Sequence, residues 1–181
     1  MSFANAFATT MQHEQGYAKN LKDKGGETYR GIARSRHPEW QGWPLVDTCR
    51  QAGRSLTEEP GLENLVLDFY YQEFWEEVQC HHIDLMSEAV AEELFEASVN
   101  CGPGNGIKFL QRALNTLNAN GTLYPDLVED GAMGNKTLQS LQTCLKRRPA
   151  RILVKCQNGE QYLYYKNWRQ HEDFPGVFER T

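Results

Sequence analysis

Between positions 62 and 74, apolar residues recur at intervals of three and four: Leu62, Leu65, Val66, Phe69, Tyr70 and Phe74. That spacing puts all of them on one face of a helix, but would scatter them over both faces of a strand. The stretch must therefore fold as an amphipathic helix with something to cover its stripe. Thr57-Glu58-Glu59-Pro60 ahead of it reads as the helix start, with Thr57 as cap and Pro60 in the first turn. The helix is expected to run to about Val78.

The same period returns elsewhere. Phe3, Phe7 and Met11 predict a first helix ending near Glu14. Ser87 caps a stripe of Val90, Leu94, Phe95 and Val99, which Gly102-Pro103-Gly104 stops. Asn105 is the expected cap for Ile107, Leu110, Leu114 and Leu117, and a short helix follows over Thr137 to Leu145. Tyr162, Tyr165 and Trp168 sit at helical spacing in the tail. Between these lie a glycine-rich stretch, 15–31, with short strands at most around Tyr17 and Tyr29, and a turn-rich stretch from Asn118 to Gly134. His37-Pro38 and Trp43-Pro44 mark further turns. The fold class is mainly α, with a small β-hairpin or none near 17–31.

With 181 residues and 40% of them hydrophobic, the chain can bury one real core. An aromatic share of 11% excludes disorder and coiled coil. The net charge of −5 argues against a nucleic-acid partner, since phosphate affinity rests on surplus Lys and Arg. The charge is uneven, however. Lys19 to Arg36 holds six basic residues against Asp23 and Glu27, whereas Glu58 to Glu77 holds seven acidic residues and no basic one. The basic stretch reads either as the seat of an anionic ligand or as a solvated loop surface. The run Lys146-Arg147-Arg148 with Arg151 and Lys155 reads as a solvated helix end, or as a contact for anionic polymer or membrane.

No apolar run has the length of a membrane span. The opening MSFANAFATTMQH lacks the basic start of a secretory signal, so synthesis in a cytoplasm is expected. Five cysteines without a C-x-x-C pair read as reduced, mostly buried thiols. Cys80-His81-His82 suits a turn better than a tetrahedral site, and neither metal nor cofactor is expected.

The chemistry concentrates in His13-Glu14-Gln15-Gly16-Tyr17 and Asp23-Lys24-Gly25-Gly26-Glu27-Thr28-Tyr29-Arg30-Gly31-Ile32. A carboxylate at a helix end precedes a glycine loop carrying two more carboxylates and a hydroxyl. Cleavage of a glycosidic bond needs one acid to protonate the leaving oxygen and a second group to stabilise the cation or activate water. Glu14, behind an apolar helix, suits the acid, because burial raises a carboxyl pKa. Asp23 or Glu27, on a looser loop, suits the ionised partner. A helix ending in Glu then Gly, before a common Gly-Gly loop, is the plainer alternative.

These residues resemble the signature of glycoside hydrolase family 108, lysozyme-like N-acetylmuramidases of phage endolysins and bacteria. The order Glu14-Gln15-Gly16-Tyr17, Asp23-Lys24-Gly25-Gly26-Glu27-Thr28 and Gly31-Ile32 is similar to the family's first block. Tyr70 to Trp75 resembles its Tyr-x-x-x-Tyr-Trp helix, and Leu94 to Pro103 its Phe-Asp-x-Ala-Val-Asn-Ser-Gly. Leu110 to Leu114 and Glu129 to Leu138 resemble a type-3 peptidoglycan-binding segment. Gln15 stands where the family has glycine, Lys24 where it has proline, Leu21-Lys22 where an Asp-Pro pair is usual, and Cys101 where it has a small hydroxyl.

The resemblance implies a lysozyme-like α-helical domain, with a catalytic part over 1–85 and a helical peptidoglycan-binding part over 86–181 in the same unit. By analogy with phage T4-type lysozymes, it implies Glu14 as general acid, with Asp23 and Thr28 completing the catalytic set. Glu27 is the rival for Asp23's role. Tyr17, Gly25, Gly26, Glu27, Tyr29, Tyr71 and Asn100 are the implied substrate contacts, although aromatics such as Tyr17, Tyr29, Trp40 and Trp43 also suit core packing and Asn100 also suits a helix cap. The implied activity is cleavage of the β-1,4 bond between N-acetylmuramic acid and N-acetylglucosamine by a monomer acting on bacterial peptidoglycan outside the cytoplasm. Its release would depend on a holin, or on a secretion apparatus with a cognate inhibitor. The rival readings are a non-catalytic peptidoglycan-binding module and a secreted antibacterial effector with the same chemistry.

Overall fold

The computed structural model describes residues 2–13, 16–20 and 26–168. Helix α1 covers Ser2–His13, and strands β1 (Tyr17–Asn20), β2 (Gly26–Tyr29) and β3 (Ile32–Ala33) follow. Helices α2 (Trp43–Gln51) and α3 (Pro60–Tyr70) come next, then α4 (Cys80–Asp84), α5 (Glu88–Cys101) and α6 (Pro103–Leu117). The last two are α7 (Asn135–Arg147) and α8 (Ala150–Trp168). The fold is mainly α, with one small antiparallel sheet in the order β1-β2-β3. Among the described residues, no helix is long and apolar enough to cross a membrane.

The chain divides into two compact units, one over Phe3–Glu73 and the other from Phe74 onward. In the first, the stripe at 62–70 behaves as its spacing demands: Leu62, Val66 and Tyr70 are buried. The start of α3 differs from expectation. Thr57 lies in a short 3₁₀ turn over Leu56–Glu58, and Glu59 occupies the cap position without a side-chain cap bond. Pro60 opens the helix instead, because its fixed φ is already helical and its missing N–H would have been unpaired there. Beyond Tyr70 the helix widens into a π-helical segment, Tyr71–Glu76. Helix α2 replaces the expected turn at Trp43-Pro44, with the proline in the first helical turn.

α3 is the post to which the other elements of this unit are tied. The Phe7 ring meets Tyr70 edge-on at 5.6 Å, and Phe3 meets Tyr71 at 5.0 Å, which fixes α1. The Tyr70 hydroxyl donates to the Arg30 carbonyl at 2.9 Å, which fixes the β2–β3 turn. That turn has two residues, Arg30 (φ 47°) and Gly31 (φ 78°), both left-handed. Such turns match the twist of the strands they join, and glycine takes the second position without strain.

In the second unit, α5 buries Val90, Leu94 and Phe95 and packs against α6 and α8. Ser87 caps it as expected, accepting from the Val90 N–H. Gly102 alone joins α5 to α6, at φ 88° and ψ 149°, a conformation only glycine adopts freely. α6 therefore begins at Pro103, two residues before the expected cap. The Asn105 side chain turns back instead, donating to the Cys101 carbonyl at 2.8 Å. Cys80, His81 and His82 lie in the short helix α4 rather than a turn.

The stretch between α6 and α7 has no regular element, and side chains of α6 hold it. The buried Gln111 amide donates to Asp130 and to the Ala132 carbonyl, and accepts from Gly131. Asn115 does the same for the backbone of Leu127. All five cysteines are free thiols, of which Cys49, Cys80 and Cys144 are buried.

Candidate active site

The sheet positions the candidate residues by its register. Tyr17 pairs with Tyr29, Ala18 with Thr28, and Lys19 with Glu27 across β1–β2. Thr28 pairs with Ala33, and Tyr29 with Ile32, across β2–β3. Side chains alternate along a strand, so Tyr17, Glu27, Tyr29 and Ile32 share one face. Ala18, Thr28 and Ala33 share the other.

The first face is spoken for. Tyr29 is 2% exposed and Ile32 1%, and the Tyr29 ring lies against Trp40 at 6.2 Å. Tyr29 packs the core and has no ring face left for a sugar. Arg34 N–H donates to the Glu27 carbonyl, which extends the β2–β3 ladder by one pair and sets the two side chains opposite each other. Arg34 Nε then stands 2.6 Å from Glu27 Oε2, a close charge contact rather than a directional hydrogen bond. The rest of the guanidinium forks onto Asp47 of α2 at 3.2 and 2.6 Å and lies over the Trp43 ring at 4.3 Å. These acceptors hold Arg34 above its already high pKa, Asp47 most strongly. Tyr17 completes the clamp, donating from its hydroxyl to Glu27 Oε1 at 2.6 Å with Arg50 over its ring at 3.9 Å. Burial, and then this bond to a carboxylate, push the Tyr17 phenol up to about 12.

The second face is different. Thr28 is half-buried in its centre, with only the small side chains of Ala18 and Ala33 as paired neighbours. A hydroxyl flanked by two methyls leaves room for a bulky substrate, which a face of large side chains would not.

Glu14, Asp23 and Gly25 lie outside the described residues. In sequence, Glu14 directly follows α1 and Asp23 falls between β1 and β2. Gly26 opens β2 at φ 65°. Tyr71 is exposed on the π-helical segment, its ring against Phe3. Asn100 is half-buried in the last turn of α5, within the second unit. The structure thus brings Tyr17, Gly26, Glu27, Thr28 and Tyr29 together on one sheet, turned to opposite faces.

Sequence reasoning missed Arg34, Asp47 and Arg50 as partners of that sheet. The alternation from Glu27 to Arg34 around a two-residue turn was the available signal. Two cations of the basic stretch are paired: Arg34 with Glu27 and Asp47, and Arg30 with Glu63 at 3.1 Å. Among the described residues, no group of three or more His, Cys, Asp or Glu side chains is arranged to hold a metal ion.

The family profile described as Glycosyl hydrolase 108 matches residues 7–102, more than half of the chain. The chain belongs to the glycosyl hydrolase 108 family. That span takes in the second half of α1, the sheet, α3 and α5. A second profile, described as "Predicted Peptidoglycan domain", matches residues 105–173. It starts with α6 and includes the side-chain-held loop, α7 and α8. This member of the family is therefore a glycoside hydrolase of peptidoglycan, with a segment of the peptidoglycan-domain type. The solved structure of Brucella abortus SagA is similar, with a TM-score of 0.60 and 22% identity over 91% of this chain and 80% of that one. A likeness at that identity concerns the fold. No curated protein matches the sequence.

Proposed function

We propose that this chain is an N-acetylmuramidase that hydrolyses the β-1,4 bond between N-acetylmuramic acid and N-acetylglucosamine. Glu14 is the general acid that protonates the leaving oxygen. Asp23 is the carboxylate that orients and activates water, with Thr28 as an added hydrogen-bonding partner. The observation that carries this reading is the division of the sheet into two faces. The other face presents the Thr28 hydroxyl between Ala18 and Ala33. On the packed face, Glu27 is held by Arg34 and Tyr17. A carboxylate held by a guanidinium and a phenol is poorly placed to take a proton from water, which supports Asp23 over Glu27 for the second role. Peptidoglycan lies outside the cytoplasmic membrane, so the protein acts there, released by a holin or carried by a secretion apparatus.

The test is digestion of purified peptidoglycan followed by mass spectrometry of the muropeptides. The expected products end in reducing N-acetylmuramic acid. Products ending in reducing N-acetylglucosamine, a 1,6-anhydro end, or peptides freed from the glycan would each overturn the assignment. Glu14→Gln should abolish the release of reducing ends while leaving the circular dichroism unchanged, and undiminished activity in that variant would remove Glu14 from its role.

A further inference from the structure

A groove of about 470 Å³ opens in the first unit, between the segment that follows β3 and one face of α3 with its π-helical extension. Its α3 wall is the stripe Leu65, Asp68, Phe69, Gln72 and Glu73, at helical spacing. The stripe is apolar where it meets Trp40 and turns charged where it faces the opening. The floor is aromatic: Phe69 meets the His37 ring edge-on at 4.8 Å, and Trp40 lies 6.4 Å from Phe69. The Trp40 indole is pinned by its Nε1–H bond to the Leu65 carbonyl. The opposite wall carries Arg36 and Glu39.

The rim charges stand out by what they do not do. Elsewhere in this unit Arg30, Arg34 and Arg54 each hold a carboxylate, and Arg50 lies over Tyr17. The charged side chains of Arg36, Glu39, Asp68 and Glu73 have no ion-pair or hydrogen-bond partner among the described residues, although they line one groove. A groove of this size suits a small-molecule or short peptide ligand. Its charges select which one. A neutral sugar could hydrogen-bond these groups through its hydroxyls but would leave their charges unbalanced, and three carboxylates on one rim would repel a polyanion. A ligand carrying an ammonium and a carboxylate on a short, partly apolar backbone would meet both signs and the aromatic floor.

We infer that this groove takes the peptide stem of peptidoglycan. The side-chain amine of its diamino acid lies toward Asp68 and Glu73, a carboxylate lies toward Arg36, and an alanine methyl rests over Phe69. The inference rests on peptidoglycan being the polymer this chain acts on. It makes the enzyme a reader of the peptide as well as of the glycan.

The test is a titration of the isotope-labelled full chain with a soluble stem tetrapeptide, L-alanyl-γ-D-glutamyl-diamino acid-D-alanine, followed by NMR. Shifts are expected at His37, Phe69 and Gln72. The exposed double variant Asp68→Asn/Glu73→Gln should weaken binding about tenfold, and Arg36→Gln by a smaller factor of about three. A tetrapeptide acetylated on its side-chain amine should bind the native chain as weakly as the native peptide binds the double variant. The inference is overturned if no shift appears at the groove, if the acetylated peptide binds equally well, or if a peptide-free glycan oligomer produces the larger shifts there. Because the titration needs no turnover and is repeated in Glu14→Gln, its failure is distinct from failure of the muramidase assignment, which is read from the digestion products.

Discussion

Glu27 and Arg34 face each other with 2.6 Å between Oε2 and Nε, one step beyond the last pair of the β2–β3 ladder. The pair ties the sheet to α2, because the same guanidinium grips Asp47. Glu27→Gln should therefore lower stability by about 1–2 kcal/mol in chemical unfolding, since it strips the charge from one acceptor of a part-buried cation. It should also let the Tyr17 phenol titrate lower, toward the ordinary tyrosine range, because the carboxylate that disfavours the phenolate is gone.

The catalytic consequence separates the two rival carboxylates. If Asp23 activates water, Asp23→Asn lowers kcat on the order of hundredfold or more, whereas Glu27→Gln keeps kcat within about tenfold once the lower stability is allowed for. Initial rates of reducing-end release at a temperature where both variants are folded decide it. The reverse order would transfer the role to Glu27.

Glu93, on α5, carries a carboxyl pushed up to about 7, chiefly by burial, with Glu96 adding like charge and an Asn158 hydrogen bond opposing the shift. The folded chain then holds a proton there that the unfolded chain has released. Stability from this group is full at pH below the usual carboxylate range and falls as pH rises through about 7. Glu93→Gln should raise the melting temperature at pH 8 by about 3 °C and change little below pH 5. Melting curves across that range check the sign.

Gln111 is 2% exposed and holds the stretch before α7 by three bonds, to Asp130, Ala132 and Gly131. Its amide also keeps the Asp130 carboxyl below its ordinary pKa. Gln111→Ala should cost about 2–4 kcal/mol, because it leaves a void and unpaired backbone groups. Faster hydrogen exchange at the Gly131 amide, with that of mid-α5 rising only as far as the global stability loss requires, would show that the damage starts in this stretch.

Gly106 sits where a Cβ would fall 2.5 Å from Ser98 Oγ, itself bonded to the Leu94 carbonyl. Gly106→Val should force α5 and α6 apart at a cost of about 1–3 kcal/mol. The combined change with Ser98→Ala should recover part of it. A melting temperature unchanged by Gly106→Val would show that the helices can give way there.

What the sequence made legible was periodicity. Leu62 to Tyr70 and Val90 to Phe95 face inward as their spacing requires, because burying apolar area dominates every local preference along those helices. Caps were less legible. Ser87 caps its helix, but at Pro60 and Pro103 the proline sets the start and displaces Thr57 and Asn105 from that role. Trp43-Pro44 reads as a turn for the same reason that it opens α2: proline suits both, and only the packing of Trp43 and Val46 distinguishes them. The Glu27 clamp depends on strand register, which two- and four-residue strands barely encode. The sheet's two faces were hidden with it. Glu14 and Asp23 were legible as a spaced pair of carboxylates.

Gly102 has a consequence for how such chains can be recombined. It is the last residue of the glycosyl hydrolase 108 match, and the peptidoglycan-domain match begins at 105, so by family the chain is cut at this joint. By packing it is not, because α5 on one side of the joint buries its face against α6 and α8 on the other. An exchange of the two segments between relatives would graft a foreign α5 onto resident helices, with Gly106 obliged to fit a new residue at the place of Ser98. The two family segments of this chain thus share one core, and a crossover within the π-helical segment, near the division between the compact units, is the exchange that would leave each core intact.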